Sequence, residues 1–172
     1  MDELHENEQY FFTKEIIITL FNFIKKFKNP GILCAPKIGE LFGKNGIECH
    51  VLDIDNRFSK VSNFQYFDIT KPKWIGGDKF GIIVCDPPFF NIKLSQLFKA
   101  IRLLSQFDFT QPILISYLVR RSKKFLDIFR SFNLYPSGFY PLYENVENCN
   151  KNRIEFFTNL SREKLDLLKT NL

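Results

Sequence analysis

The chain has 172 residues, of which 45% are hydrophobic and 25% are charged. This composition excludes an intrinsically disordered chain, and the length is sufficient for a hydrophobic core, so we expect one domain over residues 1–172. The formal net charge of +5 permits a polyanionic partner without requiring one, whereas a strongly acidic balance would have counted against nucleic acid.

The cysteines give no sign of a metal site or of a disulfide framework. There are four cysteines without a Cys-x-x-Cys pair and only two histidines, so we expect no structural zinc. These residues are Cys34, Cys49, Cys85, Cys149, His5 and His50. No apolar stretch has spanning length and no secretory segment is recognisable, so we expect no membrane contact and a cytoplasmic, nuclear or nucleolar location.

Helical and extended patterns alternate along the chain. Thr13 is a candidate N-cap for a helix over 13–28, where apolar residues recur every three or four positions. Further helices are predicted over 93–105 and 121–132, and 161–169 is either a short helix or a frayed end. Apolar runs predict strands at 32–34, 48–53, 64–67, 80–85, 113–118, 135–143 and 153–158.

This order of elements predicts an α/β fold with a doubly wound, mostly parallel sheet of seven strands. Parallel strands need crossover helices, and right-handed crossovers place helices on both faces of the sheet. The last two strands are joined by a polar loop and predict an antiparallel C-terminal hairpin. In such a sheet, ligands bind beyond the carboxyl ends of the strands.

The segment Asp86-Pro87-Pro88-Phe89 follows a predicted buried strand and is the most informative motif of the chain. The carboxylate of Asp86 and the carbonyl group of Pro87 can accept both hydrogens of a planar amino group, and neither proline has an N–H to offer. The proline rings stiffen the loop, and Phe89 can stack on a flat target. The alternative interpretation is a strand that ends in a proline turn. We predict that these four residues are catalytic.

Two acidic residues follow other predicted strands and are candidates for binding a nucleoside. Asp55 is near the carboxyl end of the second strand and is expected to bind ribose hydroxyls, whereas Asp53 is expected to face back into the fold. Asp68 is a candidate to accept from an adenine amino group, with Phe67 or Ile69 packing on the ring. The alternatives are an acidic turn or helix cap at Asp55 and a simple turn at Asp68.

The turn after the first strand lacks the glycine-rich fingerprint of dinucleotide-binding folds. It reads Cys34-Ala35-Pro36-Lys37-Ile38-Gly39 and contains one glycine instead of three. A cofactor without a pyrophosphate, such as S-adenosylmethionine, demands less of this turn, and Ala35 and Pro36 are small enough to let its methionine portion approach.

A basic cluster follows the predicted strand 113–118, near the same edge of the sheet. Its members are Arg120, Arg121, Lys123 and Lys124. Such a cluster is either a phosphate contact or an ordinary solvated face, and its position after a central strand favours a role in nucleic-acid binding.

Together these motifs resemble the N6-adenine methyltransferase-like family. The resemblance covers residues 9–159 and rests on four segments in a fixed order, with a similar C-terminal strand. They are Gln9-Tyr10-Phe11-Phe12, Ala35-Pro36, the stretch Leu52-Asp53-Ile54-Asp55-Asn56-Arg57-Phe58, and Asp86-Pro87-Pro88-Phe89. The C-terminal strand, Arg153-Ile154-Glu155-Phe156-Phe157-Thr158-Asn159, looks most like the branch of CCHC zinc-finger ribosomal-RNA methyltransferases, while a related branch methylates lysine in elongation factor 1A.

The resemblance implies a Rossmann-like class I methyltransferase fold, S-adenosylmethionine as cofactor and Gln9 as part of the cofactor site. It implies methyl transfer to adenine N6 in RNA, with ribosomal RNA as the expected partner. The zinc modules of the ribosomal-RNA enzymes are missing here, so RNA binds to the basic surface alone or is presented by a recruiting protein. Two alternatives stay open, namely a protein-lysine methyltransferase and a non-catalytic subunit of a methyltransferase pair.

Overall fold

The structure, a computed structural model, describes residues 3–4, 6, 8–61, 63–146 and 152–169. Its helices are α1 (Lys14–Ile24), α2 (Pro36–Lys44), α3 (Leu94–Leu104), α4 (Ser122–Ile128) and α5 (Arg162–Lys169). Its strands are β1 (Gly31–Leu33), β2 (His50–Asp53), β3 (Phe64–Tyr66), β4 (Ile83–Cys85), β5 (Ile113–Leu118), β6 (Tyr135–Pro136) and β7 (Ile154–Thr158).

The strands form one seven-stranded sheet in the order β3-β2-β1-β4-β5-β7-β6. The first five strands pair in parallel, and β7 runs antiparallel to both of its neighbours. After β3 the chain crosses over and places β4 on the other side of β1. The switch point of the sheet therefore lies between β1 and β4. The predicted fold class, including the C-terminal antiparallel hairpin, is confirmed.

Helices cover both faces of the sheet, and each face has its own hydrophobic cluster. On one face α1, α2 and α5 pack against Ile32, Val84 and Phe156, and on the other α3 and α4 pack against strand residues that include Cys85 and Phe157. Adjacent strand residues therefore point to opposite clusters, as the two-residue period of a strand requires. Both faces are buried, which explains why these strands read as continuous apolar runs.

Several predicted elements are shorter in the structure. The strand predicted over 135–143 keeps only Tyr135–Pro136 because Pro136 and Pro141 lack an amide hydrogen and Gly138 has a φ of 74°. Only the end of this segment is extended again, where Tyr143 forms an antiparallel bridge with Phe12. The polar loop between the hairpin strands falls largely on residues 147–151, which lie outside the described residues.

The strand predicted over 80–85 is shortened by a contact with the end of the α1 segment. The Gly81 amide donates to the carbonyl groups of Lys28 and Asn29 instead of to a neighbouring strand. A Cβ atom at Gly81 would lie 2.1 Å from the Lys28 carbonyl oxygen, so the close approach requires glycine.

The helix predicted over 121–132 is divided. It ends at Ile128 and continues as a short 3₁₀ turn, Arg130–Phe132. None of the helices in the described part of the chain has the length and apolarity needed to span a bilayer.

Candidate active site

A cleft opens at the carboxyl ends of β1, β2 and β4, and the residues before α1 form its other wall. It encloses about 610 Å³ of empty space, part of it open to solvent. It is lined by Glu8, Gln9, Tyr10, Phe11, Phe12, Cys34, Ala35, Pro36, Lys37, Asp53, Ile54, Asp86, Pro87, Pro88, Phe89 and Tyr143. The cleft thus lies at the switch point of the sheet and contains the whole Asp86-Pro87-Pro88-Phe89 segment.

The carboxylate of Asp86 is fixed from one side by two hydroxyl groups. Ser116 on β5 donates a short hydrogen bond to Oδ1, and the Tyr143 hydroxyl donates to the same oxygen at 2.7 Å. Within the described residues no hydrogen bond reaches Oδ2, and none uses the Pro87 carbonyl oxygen. Two acceptors of the loop are therefore left for a donor from outside.

Burial raises the pKa of Asp86 to about 7, although the hydrogen bonds from Ser116 and Tyr143 act in the opposite direction. Desolvation disfavours the charged carboxylate, and the hydroxyl donors recover part of that cost. The group therefore changes its charge near neutral pH, which is common for residues at functional sites.

The loop after Asp86 is held from two directions. The Glu8 carboxylate accepts from the amides of Phe90 and Asn91 at 3.0 and 2.8 Å. On the other side, Arg121 Nη1 donates to the Phe89 carbonyl oxygen at 2.9 Å, and the Phe89 ring meets Tyr117 edge to face. The loop is thus positioned by the segment before α1 and by the segment after β5.

Of the two acidic residues after β2, Asp53 lines the cleft and Asp55 does not. Asp55 is buried and accepts from Arg57 Nε, from Arg57 Nη2 at 2.7 Å and from Gln9 Nε2 at 3.0 Å. Arg57 and Gln9 lower the pKa of Asp55 in opposition to its desolvation, so the carboxylate is charged and engaged. The expectation that Asp53 faces back into the fold is wrong.

Asp53 combines burial with a place in the cleft wall. Its Oδ1 accepts from the Asp55 amide at 2.8 Å, and desolvation raises its pKa to about 6. A ligand hydroxyl that donates to this carboxylate would stabilise its charged form. Asp53 is therefore better placed than Asp55 for binding a ribose.

The predicted adenine-binding residues Phe67, Asp68 and Ile69 do not line the cleft. Phe67 and Ile69 are buried in the hydrophobic cluster under α3 and α4. Asp68 Oδ1 accepts from the Thr70 amide and hydroxyl at 2.8 and 2.7 Å, which is the turn geometry of the alternative interpretation.

The turn from β1 into α2 contains a left-handed residue although it lacks the glycines of the dinucleotide fingerprint. Cys34 adopts a φ of 57°, a left-handed conformation that is uncommon for a residue other than glycine. Ala35 and Pro36 follow it in the cleft wall, and Pro36 is the first residue of α2. Desolvation, together with the charges of Asp53 and Asp86, raises the pKa of the Cys34 thiol, so it stays neutral and is a poor nucleophile.

These features fit S-adenosylmethionine. The cleft has small residues at its turn, a buried carboxylate at Asp53, and aromatic walls from Tyr10 and Phe11. Gln9 also lines the cleft, although its amide nitrogen is committed to Asp55. In the described part of the chain no group of three or more His, Cys, Asp or Glu side chains is arranged for a metal ion, and His5 and Cys149 lie outside that part.

A second hollow adjoins the cleft and encloses about 840 Å³ of empty space. It is lined by Tyr10, Phe89, Phe90, Leu118, Tyr143, Asn145, Val146, Asn152 and Ile154. Tyr10, Phe89 and Tyr143 line both spaces, so the boundary between the cleft and this hollow runs beside Asp86.

The four predicted nucleic-acid-binding residues, Arg120, Arg121, Lys123 and Lys124, are all exposed. Two of them contact the Asp86 loop region, since the guanidinium carbons of Arg121 and Arg120 lie 4.7 and 5.8 Å from the centroid of the Phe90 ring. Arg121 and Lys124 also line a shallow depression next to Lys93. The basic cluster is therefore beside the site, and its ligand stays a prediction.

The sequence patterns did not reveal three residues that contact the Asp86 loop. Ser116 lies inside an apolar strand, Tyr143 lies 57 residues after Asp86, and Glu8 precedes the first helix. A polar residue in a fully buried strand was the one available signal, because a buried hydroxyl requires a hydrogen-bond partner. For Tyr143 and Glu8 no local pattern exists, because the tertiary fold creates their contacts.

A family model described as "Probable N6-adenine methyltransferase" matches residues 3–162. The chain belongs to this family. This confirms the predicted family, while the ribosomal-RNA and elongation-factor branches stay predictions. No protein among the curated ones matches the chain.

Solved structures agree on the fold. An S-adenosylmethionine-dependent methyltransferase from Clostridium acetobutylicum superposes with a TM-score of 0.57 at 10% identity, covering 86% of this chain and 91% of that one. The N-methyltransferase NodS from Bradyrhizobium japonicum gives 0.53 at 14% identity, covering 92% and 100%. Magnesium protoporphyrin IX methyltransferase from Synechocystis, solved with its cofactor bound, gives 0.53 at 10% identity, covering 84% and 78%. Family and fold together support a methyltransferase that uses S-adenosylmethionine.

Proposed function

We propose that this protein transfers a methyl group from S-adenosylmethionine to the N6 atom of adenine in RNA, with ribosomal RNA as the expected substrate. The observation that carries the proposal is the state of the Asp86 carboxylate. Its Oδ1 is occupied by Ser116 and Tyr143, whereas Oδ2 and the Pro87 carbonyl oxygen accept no hydrogen bond from the described residues, and both Asp86 and Pro87 line the cleft.

The lone pair of an adenine amino group is delocalised into the ring, which makes the nitrogen a poor nucleophile. Hydrogen bonds from its two N–H groups to Asp86 Oδ2 and to the Pro87 oxygen draw electron density back to the nitrogen and orient it. The cofactor supplies a methyl group on a sulfonium sulfur. Holding the nitrogen about 3 Å from that carbon supplies much of the acceleration.

After transfer the nitrogen carries an extra proton that must leave. Asp86 lies in contact with that nitrogen in this arrangement, and a carboxylate with a pKa of about 7 can take the proton and pass it to solvent. Phe89, in the wall of both spaces, stacks on the base, which must be unpaired or flipped out.

A lysine side chain is the second candidate substrate. The raised pKa of Asp86 favours it, because such a carboxylate can also remove a proton from an ammonium group. The two substrates leave the label in different products. Protein is incubated with methyl-labelled cofactor and with either total RNA or a ribonuclease-treated extract. Label in N6-methyladenosine supports the proposal, whereas label in a protein band contradicts it.

The variant Asp86→Ala removes the available acceptor. We expect a loss of about 100-fold or more in rate, as for one preorganised polar group, with folding and cofactor binding retained. Asp78→Ala, at an exposed residue that lies at the opposite edge of the sheet, is the matched control. A purified Asp86→Ala protein that methylates RNA at the parent rate would refute the role of Asp86.

A further inference from the structure

The second hollow is the side from which an acceptor reaches Asp86. The cleft is the space that fits the cofactor, and the residues shared by the two spaces include Phe89 and Tyr143, which contact the loop and the carboxylate of Asp86. An acceptor that meets the cofactor at Asp86 therefore occupies the hollow.

The walls of the hollow suit a flat, largely apolar group such as a nucleobase. The lining residues that the structure describes are aromatic or aliphatic, apart from the carboxamides of Asn145 and Asn152, and none of these described residues is Asp or Glu.

Phe90 lies at the outer edge of the hollow, where Glu8 holds its backbone and two arginines lie beside its ring. Its side chain is 56% exposed, while its amide is fixed by the Glu8 carboxylate at 3.0 Å. The guanidinium groups of Arg121 and Arg120 lie 4.7 and 5.8 Å from its ring centroid. Neither arginine forms an ion pair with a carboxylate of the described residues.

We propose that Phe90, with Arg120 and Arg121, binds the nucleotide that neighbours the target adenine in a single-stranded RNA. This inference rests on the proposed function and adds a second binding position to it. An exposed aromatic ring offers a stacking surface to any base. The two adjacent guanidinium groups offer positive charge and hydrogen bonds to its phosphate, although Arg121 uses Nη1 for the Phe89 carbonyl oxygen.

The combination gives the RNA two adjacent binding positions at the cleft. One base enters the hollow beside Phe89, and the next base stacks one residue further along the same loop. Stacking on an aromatic side chain contributes about 1–3 kcal/mol per base, which corresponds to roughly 5-fold to 150-fold in affinity.

The test measures RNA binding without methyl transfer. The protein is saturated with S-adenosylhomocysteine and titrated with a single-stranded RNA hexamer that carries one adenine and 2-aminopurine on one side of it, then on the other. We expect the parent to quench the fluorescence at one of the two positions. Phe90→Ala should lose that quenching and raise Kd about tenfold.

Two variants separate stacking from simple loss of bulk. Phe90→Tyr keeps a flat ring and should bind like the parent, whereas Phe90→Leu keeps an apolar side chain without a ring and should bind like Phe90→Ala. Phe107→Ala is the matched control, because Phe107 is 52% exposed with the Arg102 guanidinium 5.4 Å from its centroid, yet it follows α3 at the opposite edge of the sheet.

The outcomes distinguish this inference from the function on which it rests. Parent-like affinity and quenching in Phe90→Ala would refute the Phe90 position even if Asp86-dependent methylation of RNA is observed. Phe90-dependent binding without any methylation of adenine would leave the position standing and refute the proposed reaction. A parent protein that does not bind the hexamer would refute both.

Discussion

At the scale of single residues, Asp86 depends on two hydroxyl groups that lie 30 and 57 residues away in the sequence. Ser116 and Tyr143 donate to one carboxylate oxygen and leave the other for a substrate. A carboxylate in this position must be charged to accept two N–H groups fully, yet its burial favours the protonated form. The hydroxyl groups therefore set the pH range in which the residue can act.

The first prediction at this scale concerns the pH dependence of methylation. The rate in the parent should rise as pH increases through about 7, because Asp86 loses its proton there. Tyr143→Phe removes a donor that stabilises the charged form, so the pKa of Asp86 and the midpoint of the profile should move upward, by roughly 0.5–1 unit.

The profile is measured as kcat/KM between pH 5.5 and 9 with cofactor saturating. Ser116→Ala should shift the midpoint in the same direction. Tyr66→Phe, at an exposed tyrosine on β3, should leave it unchanged. A midpoint in Tyr143→Phe that is equal to or lower than that of the parent contradicts the positioning role of this hydroxyl.

At the scale of elements, the segment before α1 ties the two sides of the cleft together. Gln9 donates to Asp55 on the β2 side, and Glu8 accepts from Phe90 and Asn91 on the β4 side. The segment is anchored further by the Phe12–Tyr143 bridge and by a hydrogen bond from the Thr13 amide to the Leu142 carbonyl oxygen. Sequence reasoning gave it a cofactor role only, whereas its contacts also position the loop after Asp86.

Replacement of Glu8 tests this element. Glu8→Ala leaves two loop amides without their acceptor, so we expect faster hydrogen exchange at Phe90 and Asn91 and an increase of about 3-fold to 10-fold in KM for RNA. Glu8→Gln retains an acceptor oxygen and should stay within about twofold of the parent.

Glu15→Ala, on the exposed side of α1, is the control for loss of an acidic side chain. Unchanged exchange at Phe90 and Asn91 in Glu8→Ala would show that the loop is rigid without the Glu8 contact.

At the scale of the whole molecule, one sheet carries two hydrophobic clusters, and the cleft lies where the connections diverge to the two faces. A ligand in this cleft contacts the ends of three strands and the segment before α1. Its binding free energy therefore adds to the stability of the whole fold.

We expect S-adenosylhomocysteine at 100 times its Kd to raise the free energy of unfolding by about 2.7 kcal/mol and to raise Tm accordingly. Asp53→Asn should raise the Kd for S-adenosylhomocysteine about tenfold, because a carboxylate is the stronger acceptor for ribose hydroxyls. About ten times more ligand is then needed for the same stabilisation. Thermal unfolding at several ligand concentrations measures both.

Two comparisons control this experiment. NAD at the same concentration should produce no shift, because the turn at Cys34-Ala35-Pro36 lacks the glycines that a pyrophosphate requires. Asp55→Asn should cost stability in the absence of ligand, through its contacts with Arg57 and Gln9. A larger loss of ligand affinity in Asp55→Asn than in Asp53→Asn would restore the original assignment of ribose binding to Asp55.

The sequence by itself determined the order of the strands and of every helix except α2, the doubly wound sheet and the position of the Asp86 loop at its edge. These features follow from local periodicity and from the rule that parallel strands end at one edge, so they need no knowledge of distant contacts. The family was also recognisable from the order of four short segments.

Only the tertiary structure decided which acidic residue faces the cleft and what holds the loop. Asp53 and Asp55 are two positions apart, but the chain leaves the strand between them, and Arg57 and Gln9 then capture Asp55. Ser116, Tyr143 and Glu8 reach the Asp86 loop from β5, the hairpin region and the segment before α1. Contacts of this kind depend on how distant elements pack, and no local pattern in the sequence encodes them.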